Sequence, residues 1–160
     1  MSLLSRYVRG VIKEMTQSSQ MLYPPGAGIV VVRFFNDGWR VLCLHASDYM
    51  DLPKGVMDDG EDVLTTALRE TAEESSITDL QFEWGKTNIK IGSLTMFVAS
   101  TDQDPKIISN PRIGKPEHTG ASWLTWDDAS KNIAPFLMKF IDWARSRVDE
   151  NILSSSGGGY

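Results

Sequence analysis

Gly55-Val56-Met57-Asp58-Asp59-Gly60-Glu61-Asp62-Val63-Leu64-Thr65-Thr66-Ala67-Leu68-Arg69-Glu70-Thr71-Ala72-Glu73-Glu74-Ser75-Ser76-Ile77 is the stretch on which the reading of this chain turns. Within it Val63, Leu64, Ala67, Leu68 and Thr71 recur at helical spacing, so the pattern predicts an amphipathic helix over residues 61–75. Successive helical residues turn by about 100°, which places Glu70, Glu73 and Glu74, at i, i+3 and i+4, on one face. Like charges at that spacing destabilise an isolated helix by roughly 0.2 to 0.5 kcal/mol per pair. The arrangement therefore calls for a cationic partner, and a hard divalent cation is the natural one. Mg²⁺ and Mn²⁺ take oxygen ligands, and Mg²⁺ accepts a few carboxylates while keeping several waters or phosphate oxygens. Arg69 reaches Glu73 at i+4, and Glu61, about two turns earlier, is placed to bond back to Arg69 or to the loop.

Working outward, Pro24-Pro25-Gly26 breaks the chain before a nearly continuous β-branched and aromatic run over residues 27–35. Asn36-Asp37-Gly38 then supplies turn chemistry before residues 39–46, which predicts a hairpin of two buried strands with Asp37-Gly38 suited to positive φ. An acidic, glycine-containing loop over residues 48–60 leads into the helix. Strands are expected at residues 80–84, 89–91, 94–100 and 121–124. Thr125 is placed to cap a short acidic helix over residues 126–132, and Pro135 divides it from a longer helix carrying Phe136, Leu137, Phe140, Ile141, Trp143 and Ala144, most of them inward. The fold class is α/β with one domain over residues 21–153. Leu3, Leu4, Tyr7, Val8, Val11, Ile12 and Met15 predict an amphipathic helix within residues 1–20 that packs on its own domain or on a second subunit. The Ser and Gly run gives residues 154–160 the character of a flexible tail.

Composition removes several function classes. Hydrophobic residues at 41% and charged residues at 23% suit a packed core, so wholesale disorder is excluded. A net charge of -5 offers no general attraction to a nucleic-acid duplex or an anionic membrane surface. With Cys43 as the one cysteine, neither an internal disulfide nor a multi-cysteine zinc site is available, and a metal is expected on oxygen ligands. No apolar run is long enough to span a membrane, and Arg6, Arg9 and Lys13 break any signal-type stretch, so the chain reads as cytoplasmic.

The stretch over residues 55–77 resembles the Nudix box, GX5EX7REUXEEXGU with U a bulky apolar residue. It matches at Gly55, Glu61, Arg69, Glu70, Glu73, Glu74 and Ile77; Ser76 stands where the family has glycine, and Thr71 fills the first U position. Six fixed matches at about one in fifteen each, with one miss allowed, make a chance placement on the order of one in 10,000. The resemblance implies an α/β/α sandwich with a mixed sheet, hydrolysing a nucleoside diphosphate linked to a further moiety with Mg²⁺ or Mn²⁺. By position it implies that the Gly55 carbonyl, Glu73 and Glu74 hold metal. Glu70 takes a second metal or acts as general base, and Arg69 and Glu61 orient the set. Glu117, in a polar loop ahead of a strand, is the downstream candidate for a further ligand or base.

Around the box, Leu44-His45-Ala46-Ser47, Leu52-Pro53-Lys54-Gly55 and Glu117-His118 ahead of Trp123-Leu124 are similar to the asymmetrical dinucleoside tetraphosphate hydrolase branch. That likeness implies a phosphate contact for Lys54 and a phosphate or base contact for His118, with diadenosine tetraphosphate as the substrate type. Val56 occupies the branch's box-adjacent histidine position, and no tyrosine stands at its adenine-stacking position, so Phe97 or Tyr49 is the expected stacking ring. Three alternatives stand beside it. One is pyrophosphohydrolysis of an RNA 5′ end on a basic groove near Arg33, Lys86 and Lys90. Another is pyrophosphatase action on (deoxy)nucleoside triphosphates. The last is a non-catalytic nucleotide-sensing module. Monomer and homodimer are both open.

Overall fold

The computed structural model describes residues 24–108 and 118–157. The helix expected within residues 1–20 and the candidate Glu117 lie outside the described residues, as do residues 158–160 of the expected tail.

The run after Pro25 becomes β1, Gly26–Phe35, the centre of a seven-stranded mixed sheet. It pairs antiparallel with β2, Gly38–His45, and parallel with β6, Leu94–Ser100, whose outer neighbour is β5, Asn88–Ile91. The parallel pairing requires a crossover, and the helix α1, Val63–Ser75, lies within it. β2 also carries β7, Ala121–Leu124, and β3, Met50–Asp51, while β4, Lys54–Val56, pairs with the start of β1. Two of these strands fall in the stretch expected to be loop. β3 pairs with the end of β2, and β4 forms because Gly28 lets the Pro53-Lys54 backbone approach: a Cβ there would collide with the Pro53 carbonyl and stand 2.5 Å from Lys54 Cβ.

β1 reads as a continuous apolar run because both faces are covered. Ala27, Ile29 and Val31 join Leu42, Leu44, Phe97 and Ala99 beneath Ala67 of α1 and Ile77. Val30, Val32, Val41, Cys43, Met96 and Val98 face the other layer. That layer is α2, Trp126–Asn132, a 3₁₀ turn, Pro135–Leu137, and α3, Met138–Gly157, contributing Ala129, Leu137, Phe140, Ile141, Ala144 and Val148. The result is the α/β/α sandwich that the resemblance implies.

Local signals were met with exceptions. Thr125 caps α2, accepting the Asp128 N–H at 3.2 Å. Residues 80–84 do not form a strand: only Gln81 bridges to Ser100, because a Phe82–Gly85 turn bends the chain away. In the β1–β2 hairpin Phe35 pairs with Gly38, leaving Asn36-Asp37 as the loop, and Gly38 alone takes positive φ, 135°. α3 continues to Gly157, into the run read as tail.

Candidate active site

α1 begins where the Asp62 carboxylate accepts the Thr65 N–H at 2.7 Å, and it packs on β1 and β4. That contact orients its acidic face. Glu70 is fully buried and Glu74 nearly so, at 0% and 4% side-chain exposure, while Glu73 stands half in solvent. Arg69 organises the set through a two-point fork on Glu61, Nε to Oε2 and Nη2 to Oε1, both at 2.8 Å. Its Nη1 donates to Glu70 at 2.7 Å and to Glu73 at 3.3 Å, and Nη2 also reaches the Val56 carbonyl at 3.0 Å. Glu61 further accepts the Asp58 N–H at 2.8 Å and the Thr66 hydroxyl at 3.0 Å, so it ties loop to helix. Bonding to Arg69 outweighs desolvation and, with those donors, holds the Glu61 carboxyl down to about 2. The same bonding to Glu61 keeps the Arg69 guanidinium protonated against its partial burial.

The helix leaves the site through Ser76, which takes φ 65° where glycine is the usual residue. Its N–H closes on the Ala72 carbonyl at 2.9 Å, and its hydroxyl donates to the Lys106 carbonyl at 2.7 Å. That second bond is one glycine cannot make, and it offsets part of the cost of the left-handed backbone.

A second group meets the C-terminal end of α1. Asp51 of β3 binds Lys54 Nζ at 2.9 Å through Oδ1, and its Oδ2 lies 3.0 Å from His118 Nε2. His118 Nδ1 lies 3.3 Å from Glu74 Oε2, and the Lys54 N–H donates to Glu74 Oε1 at 3.4 Å. Burial works to raise the Asp51 carboxyl, but His118 and Lys54 outweigh it and the net shift is downward. Burial works against the Lys54 charge, yet the Asp51 and Glu74 carboxylates hold its pKa above the usual lysine value. Asp51, Glu74 and His118 each present a ligand atom within 4.8 Å of the others, the one such group among the described residues.

The structure thus gathers Lys54, Gly55, Glu61, Arg69, Glu70, Glu73, Glu74 and His118 around one end of the sheet. Phe97 is not among them. It is 2% exposed, pairs with Ile29 in the sheet centre and packs edge-on to Phe82, so it has no face for a base. Tyr49, 47% exposed, lines an open cleft of about 540 Å³ with His45, Asp48, Lys131 and Pro135. Two residues escaped the sequence reading. Asp51 stood unremarked three residues before Lys54. Phe136, one of a set expected to be mostly inward, is 61% exposed, with Lys54 Nζ 5.6 Å from its ring. It lies in the 3₁₀ turn, whose tighter winding shifts it off the α-helical face. Arg33, assigned to a basic groove, is engaged internally with the Thr101 and Gln103 carbonyls and Asp104, and lies over Trp123 at 4.6 Å.

The donors suit a divalent metal. Asp51, Asp58, Glu61, Glu70, Glu73 and Glu74 outnumber the cations Arg69 and Lys54 that contact them, and an excess of negative charge in a half-dry site favours a compact dication with hard oxygen ligands.

No curated protein matches the chain. Its fold is similar to that of C. elegans Ap4A hydrolase in a binary complex, at 20% identity over 82% of this chain and 98% of that one, TM-score 0.59. It is also similar to the M. smegmatis Nudix hydrolase RenU, at 17% identity over 81% and 87%, TM-score 0.56. A third likeness is the Nudix domain of Shewanella oneidensis NrtR complexed with ADP ribose, at 15% identity over 86% and 97%, TM-score 0.58. A family model of the Nudix domain matches residues 23–144, from the entry to β1 into α3. With that match spanning the sheet, the box helix and the helices behind the sheet, the chain belongs to the Nudix family, whose hydrolases cleave pyrophosphate bonds.

Proposed function

We propose that this chain hydrolyses a phosphoanhydride bond in a nucleoside diphosphate linked to a second moiety, with dinucleoside polyphosphates such as diadenosine tetraphosphate as the substrate class. The observation that carries the reading is Lys54: its ammonium is kept charged by Asp51 and Glu74 at the edge of the carboxylate set, beside the exposed ring of Phe136. A fixed cation there suits a polyphosphate, and the exposed Tyr49 ring lies on the cleft next to it, placed to stack a base. The likeness to C. elegans Ap4A hydrolase at the level of fold supports the same class.

In this reading the Gly55 carbonyl, Glu73 and Glu74 hold Mg²⁺ or Mn²⁺, and Glu70 holds a second ion or serves as general base. When bound, the ion neutralises pyrophosphate charge and acidifies the attacking water. Arg69 keeps the Glu70 and Glu73 carboxylates in place, and Glu61 anchors Arg69 to the loop. Glu117 remains a candidate further ligand beside His118. The activity is assigned to the cytoplasm, in a monomer or homodimer; among the described residues no helix is long and apolar enough to cross a membrane.

The test is an Mg²⁺-dependent hydrolysis panel of diadenosine tetraphosphate, deoxynucleoside triphosphates, ADP-ribose and 5′-triphosphorylated RNA, with products resolved by chromatography. Preferential release of ATP plus AMP is expected, and Glu74→Gln should lower turnover by about 100-fold or more while the fold persists. Unchanged turnover in that variant at saturating Mg²⁺ removes the site from consideration, and nucleotide binding without turnover by the wild type replaces the enzyme with a sensor.

A further inference from the structure

His118 stands between two carboxylates brought from different elements. Asp51 Oδ2, from β3, lies 3.0 Å from Nε2, and Glu74 Oε2, from α1, lies 3.3 Å from Nδ1. Asp51 is itself fixed, since its Oδ1 takes both Lys54 Nζ and the Leu52 N–H at 2.9 Å. All three side chains are largely buried, so the ring has little freedom to turn away.

Asp51 holds the Nε2 side of the ring, so Nδ1 is the ring atom turned to Glu74 Oε2. Asp51, Glu74 and His118 each present a ligand atom within 4.8 Å of the others, a spacing that one cation can span. Donors about 2.1 Å from one cation and roughly 90° to 109° apart are roughly 3.0 to 3.4 Å from each other. The observed 3.3 Å lies in that interval. A carboxylate holding the far ring nitrogen is the usual support of a metal-bound histidine.

We infer that His118 Nδ1 is a ligand to the cation that Glu74 holds, with Asp51 as the residue that positions the ring. The inference rests on the reading of Glu74 as a metal ligand and changes its chemistry. One imidazole in an otherwise oxygen set favours Mn²⁺, Co²⁺ or Zn²⁺ over Mg²⁺, because Mg²⁺ is the most exclusively oxygen-bound of these ions.

The decisive measurement needs no substrate: the full chain is stripped with chelator, loaded with one equivalent of Mn²⁺, and its electron spin-echo modulation is read for ¹⁴N coupling in the wild type and in His118→Gln. Coupling is expected in the wild type and should be lost in His118→Gln, with Mn²⁺ affinity falling about tenfold or more and Mg²⁺ affinity changing by less than about twofold. Asp51→Asn should keep the coupling and weaken Mn²⁺ binding. Bound Mn²⁺ with no ¹⁴N coupling, or coupling that survives His118→Gln, overturns the inference while leaving the carboxylate site standing. A wild-type chain that takes up no Mn²⁺ overturns both.

Discussion

Replacing Arg69 with methionine removes the guanidinium and leaves a side chain of similar reach. Four close contacts go with it: the two-point fork on Glu61, the 2.7 Å bond to Glu70 and the bond to the Val56 carbonyl. Bonds to charged groups contribute about 1.5 to 3 kcal/mol each, but these share one side chain and do not add. Arg69 keeps 21% exposure and Glu61 14%, so water can solvate the Glu61 end once the guanidinium is gone. Glu70 has no such relief at 0% exposure. The governing quantity is therefore the cost of removing one partner from a buried ion pair, about 3 to 5 kcal/mol. For a domain of this size that corresponds to a fall in Tm of roughly 6 to 20 °C. Arg69→Lys restores a charge without the planar fork and should recover less than half of the loss. The assay is urea unfolding followed by tryptophan fluorescence. Its sharpest arm is Arg69→Met combined with Glu70→Gln. If the loss arises from the bond between Arg69 and the buried Glu70 carboxylate, neutralising that carboxyl restores at least about 1 kcal/mol relative to additivity. A single-variant loss below about 1 kcal/mol, or strict additivity in the pair, refutes the placement of Arg69 as the electrostatic hub.

Acid stability should follow Glu61. Its carboxyl is lowered in the folded chain from 4.5 to about 2, so its stabilisation is complete above pH 4.5 and is lost as pH falls towards 2. Glu61→Gln should flatten that limb of the stability-against-pH curve, and an unchanged slope counts against the bond to Arg69. At the helix exit, Ser76→Ala keeps the left-handed backbone and loses the Lys106 bond, whereas Ser76→Gly loses the bond but relieves the backbone. The glycine variant should be about 1 kcal/mol more stable than the alanine one in thermal unfolding, and the reverse order contradicts the account. Burial, aided by Asp51, pushes the Cys43 thiol up to about 12, so a thiol reagent at pH 8 should label it only in denaturant. Rapid labelling of the native chain contradicts its place in the core.

The local part of this protein was legible in the sequence. The box helix, the cap at Thr125, the apolar run of β1 and the Arg69 contacts to Glu61 and Glu73 all depend on residues a few positions apart. Helical and strand periods therefore carry them without knowledge of the fold. Phe97 shows where that stops: a core ring and a base-stacking ring look alike in sequence, and its pairing opposite Ile29 in a sheet covered on both faces made it core. Phe136 shows the converse, the apolar residue of a mostly inward set that a 3₁₀ turn leaves in solvent. Asp51 had no pattern to mark it. It became part of the site because β3 pairs with β2 and the chain before β7 returns His118 to it across 67 positions. The family's box was thus written in residues 55–77. The imidazole held between Asp51 and Glu74 exists only because sheet pairing and burial close a loop that no local period encodes.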